Sequence, residues 1–135
     1  MDRRHPRAIS RATILNNVAA NGAGTTVDVE QYGTIKLIIR TQNNASMTLK
    51  VQGSAAATAP NFASAASYSN PWAYKQINDE LDATNLDGGT GLALSGVDMV
   101  KEYVVNVSLI KYLNVIVSNY SSGNATVEMV ASNNS

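Results

Sequence analysis

Apolar and polar residues alternate along most of this chain, and that period of two constrains the fold more than any other feature. Ile35, Leu37 and Ile39 occupy every second position, with Lys36 and Arg40 between them. The same alternation recurs in residues 27–30, 46–52, 113–118 and 126–130. Successive side chains leave opposite faces of a strand, so the spacing predicts β-strands with one buried face each.

Weaker strand patterns and turn-forming segments complete the prediction. Further strands are expected near residues 11–19, 72–77, 91–95 and 102–107, and turns near 20–24, 41–44 and 121–124, which are rich in Asn, Gly and Ser. No segment shows the period of a long amphipathic helix. The sequence therefore predicts an all-β, antiparallel β-sandwich of about eight strands, either jelly-roll or immunoglobulin-like.

The length and composition of the chain fit one domain. With 135 residues it can bury a core without covalent cross-links, and it has no cysteine for disulfides or thiolate metal sites. The charged start MDRRHPRAIS lacks the apolar core of a secretory signal, and no apolar run reaches the length of a membrane span. We therefore expect a protein made in the cytoplasm, with no membrane partner.

The positive charge is concentrated at the N-terminus. Residues 1–11 hold Arg3, Arg4, Arg7 and Arg11 against Asp2, a local charge of +3, whereas residues 12–135 hold six basic and nine acidic residues, a charge of −3. We divide the chain into a basic arm, 1–11, and a β-sandwich domain, 12–135. A basic arm on an acidic body indicates a separate partner, so the four arginines are the candidate anchors. The acidic body argues against a nucleic-acid partner.

Several apolar residues fall on the strand face that should be exposed to solvent. Candidates for an oligomer interface are Ile38, Tyr112, Ile116 and Val130. Either the chain itself covers these positions or a neighbouring subunit does. A sandwich of this size has one internal layer, so we favour the neighbouring subunit.

No segment carries a catalytic constellation. The one histidine, His5, lies in the arm beside Pro6, and a Ser/His/Asp triad needs a histidine fixed in a pocket. Residues 88–91, Gly-Gly-Thr-Gly, lack the Gly-Lys-Ser/Thr ending of a phosphate loop. The sequence therefore predicts no enzymatic activity and no cofactor.

Two weaker ligand sites come from an acidic loop and neighbouring aromatic residues. Asp79, Asp82 and Asp87 supply the carboxylate oxygens that calcium prefers, although their spacing does not match an EF-hand. Trp72 and Tyr74 could stack on a sugar, although core packing would explain Trp72 equally well. A solvated loop without metal is the simpler interpretation of the three aspartates.

The second half of the chain carries a resemblance to known proteins. Residues 101–107, KEYVVNV, 111–118, KYLNVIVS, and 123–130, GNATVEMV, resemble small β-sandwich structural proteins of tailed bacteriophages, namely head decoration or cement proteins and minor virion proteins. The resemblance covers about two thirds of the chain and concerns its pattern rather than a diagnostic motif. No catalytic residue is carried over by it.

The resemblance implies a structural virion protein assembled in the host cytoplasm. Its partners would be the major capsid protein or other virion subunits and further copies of itself, as a dimer or trimer. The basic arm would lie on the shell or on a neighbouring subunit. The alternative is a carbohydrate-binding or adhesin-like module that uses Trp72, Tyr74 and the acidic loop. A glycosidase is the third and least supported function.

Overall fold

The computed structural model describes residues 9–79 and 85–132 as an all-β protein. Its strands are β1 (Ile9–Val18), β2 (Gly22–Ala23), β3 (Val27–Asp28), β4 (Thr34–Ser54), β5 (Ala73–Lys75), β6 (Ile77–Asp79), β7 (Asn85–Leu86), β8 (Leu92–Asn106) and β9 (Tyr112–Ser132). Within the described ranges there is no helix, and so none that is long and apolar enough to cross a membrane. The predicted all-β, antiparallel class is confirmed.

All nine strands belong to one antiparallel, hydrogen-bonded sheet. The strand order is β1-β9-β4-β8-β6-β7, while β2 and β3 pair with β9, and β5 pairs with β4. The sequence predicted two sheets packed face to face, whereas here β4 pairs with β9 and β8 along most of its length. Hydrogen bonding is therefore continuous where a separation between sheets was expected.

A row of left-handed residues crosses the four long strands. Its members are Asn17 in β1, Asn43 and Asn44 in β4, Gly96 in β8, and Asn119 and Gly123 in β9, with φ between 53° and 79°. The strand register shifts beside each of them, as at a β-bulge. The predicted turns at 41–44 and 121–124 are thus bulges inside continuous strands, and the two strands predicted on either side of residues 41–44 are the single strand β4.

The bulges allow both ends of the long strands to face one core. We call residues 9–16, 34–42, 97–106 and 125–132 the first half of the sheet, and residues 46–54, 73–75, 92–94 and 112–118 the second half. Leu37, Ile39 and Val127 from the first half share one buried cluster with Leu49 and Val117 from the second. Bulges bend a strand and increase its twist, so the sheet curls around this cluster.

The alternation seen in the sequence decides which side chains enter the core. In β4 every odd-numbered residue from Ile35 to Gly53 is buried, apart from Asn43 in the bulge. In β8 the buried parity changes from Leu94 to Tyr103 because Gly96 adds one residue to the strand. The sequence therefore identified the buried face of most strands correctly.

We predict that Gly123→Ala is much more destabilising than Gly96→Ala. Both glycines have positive φ, so each alanine incurs the left-handed penalty of about 1 kcal/mol. A Cβ at Gly123 would also approach Ala45 N at 2.7 Å and Gln42 O at 2.8 Å, whereas a Cβ at Gly96 meets nothing within 4 Å. Denaturant unfolding should show a loss of more than about 2 kcal/mol for Gly123→Ala. Equal losses in the free energy of unfolding for the two variants would show that the close contacts around Gly123 do not matter.

Candidate functional site

The face of the first half that points away from the core mixes apolar and charged side chains. We call it the outer face and define it by Lys36, Ile38 and Arg40 of β4, Val100, Glu102 and Val104 of β8, and Glu128 and Val130 of β9. Ile38 lies between Glu102 and Glu128 in the neighbouring strands, and Val130 lies opposite Lys36. Two of the predicted interface residues, Ile38 and Val130, are therefore on this face, and both are half-buried.

Ion pairs connect the charged residues of the outer face. Lys36 Nζ lies 3.1 Å from Glu102 Oε1, and Arg40 Nη2 lies 3.1 Å from Glu128 Oε1. The side chains in these pairs remain 39–50% exposed, so each pair contributes about 1 kcal/mol or less to folding. Val100 beside them is 70% exposed. The outer face is thus open to solvent and carries paired charges between apolar side chains.

Arg11 is the one predicted anchor that lies within the described residues. It belongs to β1, where it is exposed and lies opposite Val130, beside the outer face. The predicted boundary between arm and domain at residue 11 therefore falls inside a strand. Arg3, Arg4, Arg7 and His5 lie outside the described residues.

The other two predicted interface residues lie in the second half, where the chain covers the same sheet face itself. The loop of residues 55–72 packs there, with Phe62 buried and its carbonyl accepting a 2.8 Å hydrogen bond from Gln52 Nε2. The Tyr112 hydroxyl donates to Ala57 O at 3.4 Å. Ile116 lies against the same loop. At Tyr112 and Ile116 the chain's own loop therefore packs against the second apolar face.

This loop and strand β5 form an open groove, which we call the aromatic groove. Its volume is about 540 Å³, and it is lined by Phe62, Ala63, Ser64, Ala65, Ala66, Trp72, Ala73, Tyr74 and Ile116. The Trp72 and Tyr74 rings meet edge to face with centroids 5.0 Å apart. Lys50 Nζ lies 5.0 Å from the Tyr74 centroid. The structure thus brings the predicted residues Trp72 and Tyr74 together. Phe62 and Ile116 line the same groove, because the loop of residues 55–72 takes a path that the sequence did not reveal.

The side chain of Asn70 holds the wall of the aromatic groove in place. Its Nδ2 donates to Asn61 O at 2.9 Å and to Ala65 O at 3.1 Å, and its Oδ1 accepts from Asn61 N at 2.8 Å. The Trp72 indole N–H donates to Ser64 O at 2.9 Å. Since these bonds use the polar groups of the wall internally, the groove presents mainly carbon to a ligand.

Two of the three candidate calcium ligands, Asp79 and Asp87, are engaged in other contacts. Asp79 is buried, and its Oδ2 lies 2.9 Å from Lys101 Nζ. Asp87 Oδ1 accepts from Gly89 N at 3.0 Å within its own turn. Asp82 lies outside the described residues. Among the residues that are described, no group of three metal-binding side chains is found.

A charge cluster at the far end of the second half was not predicted. Lys111 Nζ lies 2.9 Å from Glu30 Oε1 and 3.0 Å from Asp28 Oδ2. The Glu30 backbone N–H, followed by Lys111, holds the pKa of Asp28 below its ordinary value, while Glu30 and Asp28 raise the pKa of Lys111. Asp28 and Glu30 alternate with Val27 and Val29, and the sequence alone does not show that Lys111 reaches them.

The turn between β8 and β9 displays an exposed leucine in a strained conformation. Ile110 N donates to Val107 O at 3.2 Å, and between them Leu109 has φ +66° with 94% of its surface exposed. That turn position ordinarily takes glycine or asparagine. Bonds from Val107 N and Ser108 Oγ to Gly33 O, and from Lys111 N to Ser54 O, hold the turn in place. No sequence signal marks this site.

We predict that Leu109→Gly stabilises the folded chain by about 1 kcal/mol, because glycine adopts positive φ without the penalty that leucine incurs. Denaturant unfolding measures the change. The control is Leu109→Ala, which keeps the penalty and should change stability little. A loss of stability in Leu109→Gly would show that the Leu109 side chain already contributes to the folded monomer.

We predict that Lys111→Met raises the pKa of Asp28 but leaves it below its ordinary value, because the Glu30 N–H remains. Since folding lowers this pKa, the Asp28 carboxylate stabilises the chain above its unfolded pKa, and that contribution is lost as the pH falls through the folded pKa. NMR titration of the carboxyl carbon measures the shift. Lys50→Met, which removes a lysine that contacts the Tyr74 ring, should leave Asp28 unchanged.

Comparison with known proteins identifies the fold. No protein-family model and no curated protein matches the sequence. The structure of the SPBc2 prophage-derived protein YomS aligns with a TM-score of 0.71 at 8% identity, over 98% of this chain and 99% of that one. The structure of the PBSX exported protein XepA aligns with a TM-score of 0.69 at 14% identity, over 96% of this chain but 39% of XepA. At these identities the likeness shows a fold shared with phage-derived proteins.

Proposed function

We propose that this chain is a non-enzymatic structural protein of a phage particle, which decorates or cements the head by binding the major capsid protein or other virion subunits. The open outer face carries this proposal. The phage origin of two proteins with the same fold supports it. The protein would assemble in the host cytoplasm and remain in the virion.

The two halves of the sheet differ in how their second face is covered. In the second half the loop of residues 55–72 covers it, and Phe62 of that loop is only 2% exposed because it packs against the sheet. In the first half the corresponding face keeps Ile38, Val104 and Val130 half-exposed and Val100 largely exposed. An exposed face on which apolar and charged side chains alternate has the mixed composition of a non-obligate interface. The outer face is therefore the surface we assign to the particle.

The chemistry of the outer face suits a polar, hydrated interface rather than a permanent core-like one. Apolar side chains alternate with the Lys36–Glu102 and Arg40–Glu128 pairs, so no large purely apolar area is presented. Non-obligate interfaces have about the same apolar share as the rest of a protein surface. Charges at such an interface fix orientation and favour the correct partner.

The arginines supply the second part of the proposed contact. Arg11 lies beside Val130, so a chain that continues from β1 towards Arg7, Arg4 and Arg3 starts at the edge of the outer face. Guanidinium groups pair bidentately with carboxylates, which fits an acidic patch on a capsid subunit. The outer face and the arm would then bind the same partner.

A carbohydrate-binding function remains the alternative, because Trp72 and Tyr74 do lie together in the aromatic groove. A sugar requires several hydrogen-bonding groups around its ring, and the lining supplies few, since the Trp72 N–H is already bound to Ser64 O. We therefore favour particle binding. Binding to a glycan array that Trp72→Ala abolishes would favour the alternative.

We predict that the protein copurifies with phage particles from the strain that encodes it. Particles are banded in a density gradient, and the protein is identified by mass spectrometry. Wild-type protein should band with the particles, and protein absent from washed particles would overturn the proposal.

Variants of the outer face and of the arm test which surface binds the particle. Val100→Asp, and separately the triple change of Arg3, Arg4 and Arg7 to Ala, should raise the Kd for particles about tenfold, since each removes on the order of 1.4 kcal/mol of binding free energy. The matched control is Tyr68→Ser, which alters a fully exposed residue away from the outer face. Undiminished binding by Val100→Asp would exclude the outer face.

A further inference from the structure

Two features of Leu109 are unfavourable for a leucine in a free monomer. Its backbone adopts a conformation that disfavours leucine, and its side chain is 94% exposed. We infer that Leu109 of one copy inserts into the aromatic groove of a second copy. This inference deepens the proposed assembly function, because it names a contact between neighbouring subunits.

The aromatic groove has the shape and chemistry that an apolar side chain needs. It is open, it is lined mostly by carbon, and its volume of about 540 Å³ accommodates a leucine together with the turn that carries it. Leu109 does not line the groove of its own chain. A contact between Leu109 and this groove would therefore join two copies through two different surfaces of the protein.

Both surfaces are held in place before they meet. The side-chain amide of Asn70 fixes the groove wall through hydrogen bonds to Asn61 and Ala65. Gly33 O accepts two hydrogen bonds from the turn that carries Leu109. Prior ordering lowers the entropic cost of association. A rigid turn that presents a strained leucine is therefore suited to binding.

The charges around the two surfaces are complementary. Lys50 lies over the Tyr74 ring at the groove and makes no ion pair within the described part of the chain. Glu30 borders the same recess as Leu109, and its side chain is 67% exposed. Glu30 shares Lys111 with Asp28, so the charges beside Leu109 sum to −1. This excess negative charge is complementary to Lys50 at the groove, which favours the second copy as the occupant.

A contact between two different surfaces extends by repetition. Each copy offers one Leu109 turn and one groove, so the association closes into a ring or continues as a chain of subunits. Either arrangement leaves the outer face of every subunit free for the particle. The self-contact and the proposed particle contact are therefore compatible.

Sedimentation velocity of the purified full chain tests the contact. Wild-type protein should associate as its concentration rises, and Leu109→Gly should weaken that association about tenfold or more, as expected for removal of a buried leucine. Because Leu109→Gly relieves strain, weaker association would accompany a fold at least as stable. Tyr68→Ser removes a fully exposed side chain that belongs to the same loop but does not line the groove, and it should associate like wild type.

Cross-linking identifies the surface that receives Leu109. The chain has no cysteine, so Leu109→Cys and Ala65→Cys proteins can be mixed and treated with a short bismaleimide. Covalent mixed dimers are expected. A mixture of Tyr68→Cys and Ala65→Cys should give few of them. Equal cross-linking in both mixtures would show random collision and overturn the assigned groove.

The outcomes separate this inference from the proposed function. A wild-type chain that stays monomeric at all concentrations, or association that Leu109→Gly does not weaken, overturns the self-contact. Loss of particle binding in Leu109→Gly, with a monomeric wild type, would assign the leucine to another partner instead. Self-association through Leu109 in a protein absent from particles would overturn the phage-particle function and leave the self-contact standing.

Discussion

The left-handed Asn and Gly residues that form a row across β1, β4, β8 and β9 bend the sheet and thereby create its core. β4 and β9 are each 21 residues long and pair along most of that length. A flat pair of such strands would leave much of both faces in water. The bulges bend the sheet so that Leu37 in one half and Leu49 in the other reach the same core.

That bend also divides the surface into two regions with different chemistry. The first half keeps its second face open and mixes Ile38 and Val130 with paired charges. The second half covers the same face with a loop whose polar groups bond to one another, which leaves the aromatic groove. A hydrated contact suits the first region, and an apolar side chain suits the second. One sheet therefore presents two surfaces of different chemistry, to which we assign the two proposed contacts.

Prediction from the sequence was strongest where it relied on the direction of side chains. Alternation placed Ile35, Leu37 and Ile39 on one buried face, and it marked Ile38 as an apolar residue on the other. Alternation could not predict that Ile38 is open to solvent while Ile116 is covered, because it places both residues on the strand face that points away from the core. Only the path of the loop of residues 55–72 distinguishes them, since that loop packs against Ile116.

The sequence by itself determined the all-β class, the antiparallel strands and the buried face of most of them, because the period of two follows from strand geometry alone. The tertiary structure decided that the strands form one sheet, since Asn and Gly suit a bulge as well as a turn. It also decided the position of Leu109, which occupies a left-handed site without the usual residue type. Such a conformation is imposed by the surrounding hydrogen bonds, which join residues that are distant in the sequence.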